Sequence, residues 1–151
     1  MFSAKKTSFQ DNDTKLALYS RLKGQFKYES YLDAGCHNIQ IFTKFRMSNH
    51  CLPIERGRYT NLVIPRVERL CYFCKEELGN ERHVLMECTH PTLRDLTEKF
   101  LPRIFNVLPI TQDWSKVDIF NYILLGIEKA VVNFVCEWLI ECNILHREKL
   151  E

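Results

Sequence analysis

Features that mark several protein classes are scarce or absent in this sequence. Only five glycines and five prolines occur among 151 residues, too few for a low-complexity or collagen-like chain. The most apolar stretch, 119–145, is interrupted by four charged residues and cannot form a membrane-spanning helix. Residues 1–12 lack the apolar run of a signal peptide. We therefore expect an intracellular protein of the nucleus or the cytoplasm, without a membrane partner.

Cysteine is not scarce, but the spacing of the cysteines excludes a secreted protein held together by disulfides. The seven cysteines are odd in number and do not repeat at the spacings of a secreted disulfide scaffold, so we expect reduced thiols.

Motifs of common enzymes are missing as well: the chain has no Walker-type glycine loop and no Ser-x-Gly nucleophile elbow. We predict that the protein is not an enzyme.

Four residues stand at the spacing of metal ligands: Cys71, Cys74, His83 and Cys88, in the pattern C-x2-C-x8-H-x4-C. A C-x2-C turn places two thiolates on one side of a metal, and thiolates with imidazole are the ligands that tetrahedral Zn²⁺ prefers. Because four protein ligands leave no open position for water, the pattern predicts a structural zinc site rather than a catalytic one.

The spacing also predicts how the last two ligands are placed. His83 is expected on a short helix over 81–87. Cys88 would then lie about 140° around an ideal helix from His83, so it must bind from the helix end or just beyond it. Three alternatives stay open: His90 as the fourth ligand, thiols that pack without a metal, and a redox Cys-x-x-Cys pair, although no thioredoxin-like βαβ pattern surrounds it.

Apolar residues at helical spacing dominate the chain on both sides of this finger. The sequence predicts a mainly α fold, a single domain with a small Cys3His zinc-stabilised finger between helical segments. Residues 1–13 are expected to be flexible and 14–151 to form one helical domain, with a basic helix and loop part over 14–70, the zinc finger over 71–90 and C-terminal helices over 91–151. Helices are predicted over 14–26 and 38–46, from 91, from 115, and over 127–145; a loop is predicted over 48–70, and Pro102 and Pro109 are predicted to bound a connection.

Positive charge is concentrated before the finger. Residues 1–70 carry 12 Lys and Arg against 6 Asp and Glu, whereas residues 71–151 carry 9 against 13. Guanidinium groups bind phosphate through two parallel hydrogen bonds, so the stretch 44–69 predicts RNA or DNA binding. The alternative is that these side chains bond loop carbonyls and hold the irregular segment together. The basic residues in question are Lys44, Arg46, Arg56, Arg58, Arg66 and Arg69.

The residues around the finger resemble those of a known family. They run R-x-S-x-H at 46–50 and L-x-x-E-x-G-R-Y at 52–59, then I-P-R-x-x-R-x-C-x-x-C at 64–74, and E-x-H-x-L-x-x-C at 81–88. This order is similar to the zinc-binding region near the C-terminal end of non-LTR retrotransposon reverse transcriptases. The match is close over 46–88 and loose over the flanking helices. It departs from the family after Cys88, where Thr89 stands in place of a frequent proline.

The resemblance implies an accessory module that follows a polymerase and helps hold template RNA or target DNA. It implies that Cys71, Cys74, His83 and Cys88 bind zinc and that Arg56, Arg58, Arg66 and Arg69 contact phosphate. His50 is expected to anchor a loop by hydrogen bonds, and Glu55 to orient Arg58 or a backbone donor. The chain has no Asp-Asp pair to hold the catalytic metals of a reverse transcriptase, so we expect no polymerase activity.

Two other hypotheses remain beside nucleic-acid binding. The first is a zinc-stabilised protein-interaction or scaffold domain, whose acidic C-terminal helices would dock on a partner or on a second copy. The second is a decayed fragment without a selected function. An exposed tryptophan would favour a protein partner, whereas basic side chains gathered on one open face would favour nucleic acid.

Overall fold

The computed structural model describes residues 17–23, Glu29, Leu32, 38–108 and 113–150. Over these ranges the protein is mainly helical, with no strand, and a Cys3His cluster lies between the helices, which confirms the predicted fold class. The predicted flexible segment 1–13, both ends of the first predicted helix and Pro109 lie outside the described residues. The helices are α1 Ala17–Leu22, α2 Ile39–Arg46, α3 Pro53–Arg56, α4 Pro91–Val107, α5 Lys116–Leu125 and α6 Lys129–Leu150.

The last helix, α6, is the centre of the packing. It contacts α2, α4 and α5. Trp138 on α6 stacks on Phe100 of α4, with ring centroids 5.9 Å apart and planes 10° from parallel. Cys136 and Cys142 are buried thiols within this core. Burial of these apolar faces on α6 stabilises the fold.

Pro102 does not end a helix, contrary to the prediction. It lies inside α4, which continues to Val107. An internal proline removes one backbone hydrogen bond and costs about 3 kcal/mol. The ring is exposed, while Phe100 and Ile104 on either side of it are fully buried. Because these side chains hold the helix against the core, their burial offsets the loss.

The segment 48–70 is more ordered than the predicted loop. It contains the single turn α3 and a 3-10 turn, Arg66–Glu68. Leu52 and Ile54 are buried in the same hydrophobic core as the long helices. The local sequence has no helical period because the segment consists of short turns, each held by contacts with distant residues.

Candidate metal centre and the adjacent basic segment

The first pair of ligands lies on a tight turn. Cys71 follows an isolated antiparallel bridge between Leu70 and Leu78, and the Cys71 N–H donates to the Glu77 carbonyl at 2.9 Å. The Lys75 N–H donates to the Cys71 carbonyl at 3.0 Å, and Lys75 adopts a left-handed conformation with φ of 57°. This geometry folds 71–74 back on itself and brings the two thiols to the same side of the turn.

The second pair comes from one wide helical turn. His83–Glu87 is a π-type segment, and Asn80 Oδ1 accepts the His83 N–H at 2.9 Å near its start. The Cys88 N–H donates to the His83 carbonyl at 2.8 Å, an i to i+5 bond. Cys88 itself is extended, with φ of −64° and ψ of 130°. The prediction that Cys88 is placed at the helix end is confirmed, and the wide turn brings it back to the side of His83.

The four predicted ligands therefore meet at one point. Their ligand atoms all lie within 4.8 Å of one another. Cys71 Sγ is 3.9 Å from Cys88 Sγ, and Cys74 Sγ is 3.4 Å from His83 Nε2. A tetrahedral zinc with sulfur ligands at 2.3 Å would place two sulfurs about 3.8 Å apart. The cluster can thus hold a metal ion, and its donor atoms and spacing are compatible with zinc.

The protonation of the thiols differs across the cluster. Burial raises the pKa of Cys88 to about 12, and it also raises the pKa of Cys71. Partial burial opposes ionisation of Cys74 too, but the backbone N–H groups of Glu76 and Glu77 donate to its sulfur and bring its pKa below the ordinary value. Metal binding must therefore displace protons from Cys71 and Cys88, whereas Cys74 is the thiol most ready to bind.

One alternative for the finger was that His90 is the fourth ligand. His90 is not part of the cluster. Its Nδ1 accepts the Thr92 N–H at 3.2 Å and caps α4. All described cysteines are free thiols. Burial lowers the pKa of His83, so its ring is neutral and able to bind a metal at neutral pH.

Hydrogen bonds join the finger to the segment before it. His50 Nδ1 accepts the Leu52 N–H at 3.2 Å, which assigns the ring proton to Nε2. Nε2 donates to the buried carboxylate of Glu81, with 2.9 Å between Nε2 and Oε1. Ser48 Oγ contacts the same oxygen at 3.4 Å. The predicted role of His50 as a loop anchor is confirmed. Sequence reasoning missed Glu81 as its partner, because no local signal links residues so far apart.

Two of the six residues predicted to contact phosphate, Arg46 and Arg69, are buried. Arg46 is only 2% exposed, forms an ion pair with Glu29, and lies over the rings of Tyr19 and Phe42. Arg69 is 6% exposed and donates to the carbonyls of Ile64 and Ile54 at 2.8 and 3.1 Å. Both guanidinium groups have partners inside the protein, as the alternative interpretation of the basic stretch expects for Arg69.

The remaining basic residues of 44–69 are more accessible. Arg58 lies 3.2 Å from Glu55, so the predicted pairing of Glu55 with Arg58 is confirmed and Arg58 is partly neutralised. Burial raises the pKa of Glu55, and the charge of Arg58 opposes that rise. Lys44 and Arg56 are exposed and Arg66 is half-buried. Lys44 and Arg56 are thus the fully exposed members of the predicted set, and Arg58 and Arg66 are the half-buried ones.

Comparison of the chain with models of known protein families, with curated proteins and with solved structures found no match. None of the described helices combines the length and the apolarity that crossing a bilayer requires.

Proposed function

We propose that this chain is a zinc-binding, non-catalytic module that binds nucleic acid, similar in role to the region that follows the polymerase in non-LTR retrotransposon reverse transcriptases. The observation that carries the proposal is the Cys3His cluster, whose four ligand atoms lie within 4.8 Å of one another directly after a stretch of net positive charge. A closed set of four protein ligands fits a structural metal.

The residues that fit a zinc ion are Cys71, Cys74, His83 and Cys88. When bound, zinc would cross-link the turn at 71–74 to the wide helical turn that ends at Cys88. The finger also packs on the core through Phe73, whose ring centroid is 5.1 Å from that of His146 on α6. Metal binding would therefore stabilise the contact between the finger and the C-terminal helices.

Three surface cations support nucleic-acid binding: Lys44, Arg56 and Arg66. Arg66 forms interactions within the protein and is only half-buried. Tyr59, 68% exposed, offers an aromatic face on which a base can stack. With about three phosphate contacts, the slope of log K against log salt is expected to be about −2 to −3. Binding of this kind is modest and is sensitive to salt.

The experiment measures binding of zinc-loaded protein to single-stranded RNA and duplex DNA at several salt concentrations. Micromolar affinity with a slope of about −2 to −3 is the expected result. The double variant Arg56→Gln, Arg66→Gln should weaken binding to all sequences alike, because phosphate contacts do not read bases. The control Arg94→Gln, Lys116→Gln removes the same charge from α4 and α5. Absence of binding at low salt would refute the proposal.

A second candidate is a zinc-stabilised protein-interaction domain. It is favoured by an exposed apolar loop, in which Leu62 is 87%, Val67 76% and Val63 65% exposed. Trp114 near the start of α5 is also 36% exposed, which was the feature expected of a protein partner. Sedimentation of the wild type and of Leu62→Ser, Val67→Ser tests self-association through this loop. A dimer that becomes a monomer would support the candidate, and a wild type that stays monomeric at high concentration would refute self-association.

A further inference from the structure

A cavity of about 290 Å³ lies beside the finger, between α2, residues 49–51 and α6. Lys44 from α2 and Arg147 from α6 both line it. Arg147 belongs to the acidic half of the chain, and the sequence gives no reason to group it with Lys44. Packing of α2 against α6 brings the two cations to one cavity.

The charged groups in the described lining of the cavity are positive. Among the described residues that line it, none is an Asp or a Glu. Neither Lys44 nor Arg147 forms an ion pair with any residue that the structure describes. The buried carboxylate of Glu81 is held by Nε2 of His50, whose ring forms part of the wall. Two cations without described carboxylate partners make the cavity a place where an anion is stabilised.

A third cation stands close to the same cavity. Burial raises the pKa of the Cys51 thiol, which lines the cavity, and the positive charges of Arg147 and Arg56 both oppose that rise. Arg56 is therefore close enough to Cys51 to add to the positive potential. It is exposed, as is Arg147.

Neutral groups complete the lining. Cys51 Sγ donates to Asn143 Oδ1 at 3.7 Å, which leaves the NH₂ group of Asn143 for another acceptor. Asn49 adds a second amide. The rings of Phe45 and His50, with centroids 5.3 Å apart, form an apolar part of the wall. The cavity thus combines cations, amides and an aromatic surface, which are the groups that bind phosphate, base edges and base faces respectively.

We propose that this cavity binds one nucleotide of a single-stranded nucleic acid, with its phosphate between Lys44 and Arg147. The inference rests on the proposed nucleic-acid function and assigns it a contact point on α6 that the resemblance does not imply. The volume is at the small end of ligand pockets and suits a single unstacked nucleotide. A base paired within a duplex is not free to enter such a cavity, so the proposal also predicts a preference for single strands.

The test compares zinc-loaded wild type with Lys44→Gln, Arg147→Gln for binding to a short oligouridylate. The double variant should bind about tenfold or more weakly, because two charge-assisted hydrogen bonds are lost. Its salt slope should be smaller in magnitude by about 1 to 2. The control Arg94→Gln, Lys116→Gln, with the same loss of charge away from the cavity, should bind like the wild type.

The outcomes separate this inference from the proposed function. If the wild type binds no nucleic acid, the proposed function and the inference both fail. If the wild type binds and the Lys44, Arg147 double variant binds equally well, the inference fails and the proposed function stands. If uridine monophosphate or inorganic phosphate binds as tightly as the oligouridylate, the cavity is a small-molecule site and the inference is overturned.

A direct readout uses Cys51 within the cavity. Its alkylation by a maleimide can be followed by mass spectrometry of the peptide that contains it, with zinc-loaded protein throughout. Oligouridylate should slow alkylation of Cys51 several-fold in the wild type and not in Lys44→Gln, Arg147→Gln. An unchanged rate at a saturating concentration of oligouridylate would show that the nucleic acid binds elsewhere and would overturn the inference.

Discussion

His50 and Glu81 form a hydrogen-bonded pair, with 2.9 Å between Nε2 and Oε1, that joins the irregular segment 48–70 to the finger. The carboxylate of Glu81 is buried, and Ser48 Oγ lies 3.4 Å from the same oxygen. A buried carboxylate is stable only when it is hydrogen-bonded. The segment and the finger therefore depend on each other for their structure.

Replacement of Glu81 should test this dependence. Glu81→Ala is expected to lower the free energy of unfolding by about 1–3 kcal/mol, because it leaves the His50 N–H buried without an acceptor. Glu81→Gln should cost less, since an amide oxygen can still accept. Chemical denaturation of zinc-loaded protein measures both. Glu76→Ala, at an exposed position of the same finger, should change stability by less than about 0.5 kcal/mol, and an equal effect at the two positions would contradict the role of Glu81.

Loss of one zinc ligand should unfold much of the protein. Cys74→Ser removes a ligand, and structural zinc contributes on the order of 10 kcal/mol of binding energy to folding, comparable with the whole stability of a typical domain. We expect loss of bound metal and of most of the helical circular dichroism. Cys136→Ser, which changes a thiol outside the cluster, should retain metal. A cooperative melt of Cys74→Ser at the wild-type temperature would contradict a structural role for the metal.

Gly57 is required by the side chain that lies over it. A Cβ at this position would lie 2.7 Å from Cγ of Arg69, whose guanidinium is held by two backbone carbonyls. Gly57→Ala should therefore destabilise the protein by about 1–3 kcal/mol, since Arg69 must shift from a packed position. A double-mutant cycle with Arg69→Ala checks the cause. Purely additive effects of the two substitutions would contradict the clash.

His146 should make stability fall in mild acid. It is fully buried, its Nδ1 lies 2.8 Å from the Cys142 carbonyl, and its Nε2 has no hydrogen-bond partner in the described part of the chain. Burial lowers the pKa of His146, and the bond to Cys142 only partly opposes this. The neutral ring is present in the folded state above pH 6.5. Below that pH the unfolded chain binds a proton that the folded state does not, so stability is lost as the pH falls from 6.5 through the folded pKa.

The measurement is the pH dependence of unfolding for the wild type and His146→Phe, both loaded with zinc. The wild type should be steeper, by at most about 1.4 kcal/mol per pH unit for one proton. Groups other than His146 contribute alike to the two proteins, so only the difference between the curves reports His146. Parallel curves would show that His146 does not contribute.

Local patterns predicted the parts of the structure that depend on neighbouring residues. The helix at 38–46, the turn at 71–74 and the helical turn before Cys88 all follow from short-range spacing and turn residues. Pro102 was misplaced because tertiary packing of Phe100 and Ile104 outweighs the local preference of proline. Local chemistry decides where a turn forms, but burial decides whether a helix continues through an unfavourable residue.

The resemblance and the structure assign different roles to the same residues. Four residues belong to the pattern that implied nucleic-acid binding: Arg46, Gly57, Arg69 and His50. The last three make contacts within the segment 48–70, whereas Arg46 pairs with Glu29. The sequence does not show which arginine is buried, because burial depends on distant residues such as Glu29. For the same reason, Arg147 could not be grouped with Lys44 before the helices were placed.

The wide turn at His83–Glu87 makes the finger sensitive to the number of residues between His83 and Cys88. The i to i+5 bond from Cys88 to His83 closes over a set number of residues, and three of the intervening side chains are buried. Deleting one residue there would retain all four ligands. It would, however, convert the wide turn into an ordinary helical turn, which would move Cys88 away from the other three ligands. Substitutions of similar size at 84–86 should be tolerated, whereas insertions and deletions should not. Variation among proteins that share this finger is therefore expected in residue type and not in the number of residues between the histidine and the last cysteine.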